Sequence, residues 1–94
     1  MSVTVSSLTR RVRIINDEGL HLRAAFNLAQ VAAKFQAQIF LQRNCARADA
    51  KSIMSILSLA ASKGVEFEVI VEGIDAQHAL DTIVQLFARG FETE

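Results

Sequence analysis

Residues 8–15 (LTRRVRII) alternate: Leu8, Val12 and Ile14 fall on one side, Thr9, Arg11 and Arg13 on the other. That is the period-two pattern of a half-buried strand. Asn16-Asp17-Glu18-Gly19 then collects turn formers, and the spacing changes to helical from Leu22 to Phe35, where Ala25, Leu28, Ala29 and Ala32 share one face. A second strand is predicted over Ala37 to Gln42, with Ala37, Ile39 and Leu41 inward. Arg43-Asn44 reads as the turn into a short third strand near residues 45–49.

Ser52 is placed to cap the next helix. Its Ile53, Met54, Ile56, Leu57, Leu59 and Ala60 cover more of the circumference than one core-facing stripe requires, and Gly64 ends the segment. Val65, Phe67, Val69 and Val71 alternate with Glu66, Glu68, Ile70 and Glu72, which predicts a strand with one buried and one wet face. Asp75 is expected to cap a last helix lined inside by Ala76, Ala79, Leu80, Ile83 and Phe87. Arg89-Gly90-Phe91 reads as a glycine C-cap with Phe91 folding back on Leu86.

The order β-α-β-β-α-β-α predicts an α+β fold, an open-faced sandwich with helices on one side of a sheet. The pattern leaves strand order open. Ninety-four residues suffice for one domain, 1–94, with MSVTVSS at 1–7 expected to be a flexible extension.

Composition narrows the function. A hydrophobic content of 51% and a mean hydropathy of +0.28 suit a filled core plus an exposed apolar patch. No run approaches the roughly 18 to 20 apolar residues of a membrane span, and the N-terminus lacks a basic start followed by an apolar run, so no membrane insertion and a cytoplasmic location are expected. Ten basic and ten acidic residues give zero net charge, which argues against nucleic acid, and Arg10, Arg11 and Arg13 read as the solvated face of a strand. Cys45 is the single cysteine, so no internal disulfide forms; with only His21 and His78 beside it no structural zinc site and no cofactor is expected. Cys45 reads as a small, partly buried thiol and His78 as a surface residue.

The candidate chemistry lies at His21, directly after the glycine turn and directly before the first helix. Backbone N–H groups without intrahelical partners and the positive end of the helix dipole favour an anion there, and Arg23 adds a guanidinium fork suited to phosphate oxygens. A neutral imidazole near pH 7 is a competent nucleophile toward phosphorus. On spacing alone, a histidine at this place also serves as an ordinary helix cap.

Gly19-Leu20-His21-Leu22-Arg23-Ala24-Ala25 resembles the motif Gly-Leu/Ile-His-Ala-Arg-Pro-Ala of the HPr phosphocarrier family. Ala50-Lys51-Ser52-Ile53-Met54-Ser55-Ile56-Leu57-Ser58-Leu59 is similar to the second signature of that family, as is Ala61-Ser62-Lys63-Gly64 in its spacing before a strand. The resemblance implies an antiparallel four-stranded sheet covered on one face by three helices, and a carrier rather than a complete enzyme. His21 would take a phosphoryl group on Nδ1 from enzyme I of the phosphoenolpyruvate-dependent phosphotransferase system and pass it to an enzyme IIA domain, with Arg23 steadying the phosphate. Ser52 would be the substrate of a dedicated HPr kinase/phosphorylase. Leu86-Phe87-Ala88-Arg89-Gly90-Phe91-Glu92 is similar to the nitrogen-related branch of the family, whereas Lys51-Ser52-Ile53-Met54 resembles its sugar-transport, kinase-regulated branch.

Two positions depart from the motif. Ala24 stands at the family's proline, which frees an N–H in the first helical turn, and Leu22 replaces a small residue beside the histidine. Surplus apolar surface makes Leu22, Phe26, Ile53, Met54 and Leu57 the expected docking residues of a monomeric carrier. Two rivals remain: a ligand-binding regulatory module, which the extra helix and the two motifs disfavour, and a regulatory paralogue of the family that binds partners without carrying phosphate.

Overall fold

The computed structural model describes residues 7–92. In order these form β1 (Ser7–Arg13), α1 (Leu22–Ala32), β2 (Gln38–Arg43), β3 (Ala46–Asp49), α2 (Ile53–Leu57), β4 (Glu66–Glu72) and α3 (Ala76–Ala88). Of the expected N-terminal extension, residues 1–6 lie outside the described residues, while Ser7 already pairs with Glu72 as the first residue of β1.

The four strands make one antiparallel sheet in the order β1-β4-β2-β3. The register gathers the apolar residues on one face, where exposed Arg10, opposite Val69, is the polar exception in β1. Leu8 and Ile39 both lie opposite Val71, Leu41 lies opposite Val69 and Ala48, and Val12 lies opposite Phe67. These side chains except Ala48 join Ala25, Leu28 and Ala32 of α1 and Leu80, Ile83 and Phe87 of α3 in one cluster. Burying that surface is the main favourable term in the fold.

The other face is wet. Glu66 there pairs with Arg13 directly opposite and reaches Arg11 at 3.7 Å, and these arginines hold its carboxyl below the usual carboxylate range, Arg13 first through its hydrogen bond. Arg47 stacks over Phe40 at 5.0 Å. The polar face expected of β4 is broken by Ile70, which is only 9% exposed between Thr9 and Phe40.

Three expectations are corrected. The helix after Ser52 runs only to Leu57 and does not reach Gly64: Ala60 takes a φ of +49°, and the chain turns back so that the Ala61 carbonyl can accept from Leu20 N at 2.9 Å. Asp75 stands at the N-cap position of α3 but makes no side-chain capping bond. Its carboxylate instead accepts from Gln36 N at 2.9 Å and Ala37 N at 2.8 Å, fastening the start of α3 to the α1–β2 connection. Cys45 is exposed, not partly buried, because it occupies the tip of the tight β2–β3 hairpin beside Asn44 at a φ of +54°.

Candidate functional site

The site begins with the turn before α1. Gly19 N donates to Asn16 O at 3.1 Å and Asn16 Nδ2 donates to Gly19 O at 2.7 Å, which closes residues 16–19 on themselves. Gly19 has a φ of +69°, and a Cβ built there would lie 2.6 Å from the Ala61 carbonyl oxygen. Glycine is therefore required twice, for the backbone angle and for the close approach. Lys63 pairs with Asp17 at 2.8 Å from the same neighbouring segment and, chiefly by this hydrogen bond, holds the Asp17 carboxyl below the usual carboxylate range.

This turn delivers His21 as the N-cap of α1, at φ −79° and ψ −179°. Its Nδ1 accepts from Arg23 N at 3.2 Å, and its Nε2 lies 3.0 Å from Glu18 Oε1. In the neutral ring these two contacts require the proton on Nε2, donated to Glu18, and the lone pair on Nδ1, aimed at the helix start. In the sequence Glu18 reads only as a turn former. The signal that could have found it is an acid three residues before the histidine with a positive-φ glycine between them.

Arg23 is exposed, and among the described residues its guanidinium has no hydrogen-bond partner. Arg23, His21 and Asn27 form one wall of an open cleft of about 550 Å³, Asp17 and Glu18 a second, and Gly90, Phe91 and Glu92 a third. The third wall comes from the end of α3. Gly90 N donates to Phe87 O at 3.1 Å and Phe91 N to Leu86 O at 2.9 Å, a Schellman ending with Gly90 at φ +65°. The Phe91 ring packs edge-on against Phe87 at 4.7 Å, and Asn27 Nδ2 donates to Phe91 O at 2.9 Å. The fold-back foreseen onto Leu86 is thus a backbone bond to Leu86 and a ring contact with Phe87.

Ser52 is the N-cap of α2, its Oγ accepting from Ser55 N at 3.2 Å. Asp49 N donates to Ser55 Oγ at 2.9 Å, Lys51 N donates to Asp49 Oδ1 at 2.9 Å, and Lys51 Nζ donates to Phe35 O at 2.7 Å in the α1–β2 connection. The foreseen docking residues divide. Leu22, Phe26 and Met54 are exposed, Met54 by 76%, whereas Ile53 and Leu57 are partly buried against the core and offer less of their surface. His78 is exposed and meets the Phe35 ring edge-on at 5.2 Å. Among the described residues no cluster of three metal-binding side chains occurs, and no helix is long and apolar enough to cross a membrane.

The family model described as "PTS HPr component phosphorylation site" matches residues 8–89. The phosphocarrier protein HPr of Treponema pallidum is 41% identical over 87 residues, spanning 93% of this chain and 99% of the relative. That of Cupriavidus necator is 42% identical over 84 residues, 89% and 94% of the two chains. The crystal structure of HPr from Thermoanaerobacter tengcongensis superposes with a TM-score of 0.86 at 36% identity, covering 93% of this chain and 98% of the other.

Proposed function

The chain belongs to the HPr family of phosphotransferase-system phosphocarriers, and on that premise we propose that His21 accepts a phosphoryl group from enzyme I and hands it to an enzyme IIA domain in the cytoplasm. The observation that carries the reading is the His21 ring at the start of α1, its Nδ1 3.2 Å from the Arg23 N–H. In the transfer, the Nδ1 lone pair forms the N–P bond while the bond from phosphorus to the donor breaks and its electron pair leaves with the donor. The phosphoryl oxygens then take over the N–H groups of the first turn, including that of Ala24, and the Arg23 guanidinium moves onto them. The chain supplies position and charge, with no resident cofactor in the step.

Ser52 is a regulatory position in this reading. A phosphate on its Oγ would replace the cap to Ser55 and bring roughly −1.5 to −2 charges beside Met54 and Ile53, the surface on which enzyme I is proposed to dock with Leu22 and Phe26. The HPr kinase/phosphorylase is the proposed modifier. Incubation with enzyme I and labelled phosphoenolpyruvate tests the main reading: an acid-labile label is expected on the native chain and none on His21→Ala. An unlabelled native chain that still binds enzyme I would instead make this a regulatory paralogue.

A further inference from the structure

An imidazole has two nitrogens able to attack phosphorus, and the family resemblance names Nδ1 without saying what in this chain selects it. We propose that Glu18 is a positioning residue whose carboxylate holds Nε2 of His21 and thereby assigns the phosphoryl group to Nδ1; the inference rests on the carrier reading above. Three observations converge. Nε2 faces Glu18 Oε1 at 3.0 Å, and Nδ1 faces the Arg23 N–H at 3.2 Å. The ring is only one-third exposed, so exchanging the two nitrogens means breaking both contacts. The segment that carries Glu18 is itself fixed, by the Asn16–Gly19 bonds, by the Asp17–Lys63 pair and by the absence of room for a Cβ at Gly19.

The chemistry follows from this placement. As Nδ1 forms the N–P bond, the ring keeps its Nε2 proton and gains a positive charge, which the Glu18 carboxylate faces directly. Attack by Nε2 would require breaking the Glu18 contact and setting a doubly negative phosphoryl group against that carboxylate. Glu18 is 78% exposed, so solvent screens this preference to about tenfold, short of an absolute one.

Phosphoramidate, a small phosphoryl donor that needs no partner protein, provides the test: its P–N bond breaks and the electron pair leaves with ammonia. In a His78→Gln background, which leaves His21 as the single histidine, the two phosphohistidine isomers are counted by phosphorus NMR against standards. The chain with Glu18 intact is expected to carry phosphate on Nδ1. Glu18→Ala should raise the Nε2 share about tenfold, and Glu18→Gln, which keeps an oxygen able to accept from Nε2–H, should restore most of the selectivity. An unchanged isomer ratio in a folded Glu18→Ala chain, or mainly Nε2 phosphate with Glu18 intact, overturns the role of Glu18 while leaving the carrier reading standing. A chain that takes no phosphate on His21 overturns both, and is told apart because no isomer is seen.

Discussion

Two helices begin with a side chain that caps a first-turn N–H at the same distance, 3.2 Å, yet the two beginnings are built for different ends. At α1 the cap is the imidazole of His21, held from behind by Glu18 and followed by the exposed Arg23. The capping atom is also the proposed nucleophile, and on that proposal the bond is one that a phosphoryl oxygen takes over. At α2 the cap is the hydroxyl of Ser52 in a closed set of bonds running through Ser55, Asp49 and Lys51 to the Phe35 carbonyl. That set of bonds, through Lys51, ties the β3–α2 corner to the α1–β2 connection. An eleven-residue helix with a buried stripe of Ala24, Ala25, Leu28, Ala29 and Ala32 stands without its cap, whereas a five-residue helix with Ile56 as its one buried residue depends on its own.

The comparison breaks most severely if the turn behind His21 is not the rigid base described. Gly19→Ala meets the Ala61 carbonyl and a positive φ together, and is expected to cost about 3 kcal/mol in urea unfolding along with the ability to accept phosphate. Ser52→Ala should cost about 1 kcal/mol, the usual loss for a serine cap, with phosphoryl acceptance retained. His21→Ala should reverse that pattern, abolishing acceptance while costing no more than about 0.5 kcal/mol by the same denaturation measurement. Equal stability losses at the two caps would remove the distinction.

The start of α3 sharpens the contrast by pH. Hydrogen bonds from the backbone of Gln36, then Ala37, hold the Asp75 carboxyl below its ordinary value. A lowered folded pKa contributes stability that is fully present above the unfolded value, about 3.9, and is lost as pH falls through the folded one. Asp75→Asn should therefore melt below the native chain at pH 6, with the gap closing below about pH 4. A gap of the same size at pH 3 would mean that the carboxylate charge plays no part in the clamp.

Which of these features the sequence revealed depends on how far apart the partners lie along the chain. The alternation of β1 and β4, the alanine stripe of α1 and the Gly90 ending of α3 rest on neighbours within a few residues, and periodicity reports such neighbours directly. His21 as a helix start was legible for the same reason. Glu18 is near His21 along the chain, yet its contact depends on the conformation of Gly19 rather than on helical or strand spacing. Asp75 looked like a cap since its true partners, Gln36 and Ala37, lie 39 and 38 residues away. The apolar run after Ser52 looked like a long helix, and only the approach of Ala61 to Leu20 shortens it.

By itself, then, the sequence determined the element order, the core-facing residues of β1, β4, α1 and α3 and the histidine at the head of α1, all consequences of local period and turn chemistry. The strand order β1-β4-β2-β3 and the early end of α2 were decided only by the tertiary structure. Each depends on surfaces that meet after the chain has closed on itself, and an apolar pattern states that a face will be buried without stating against what.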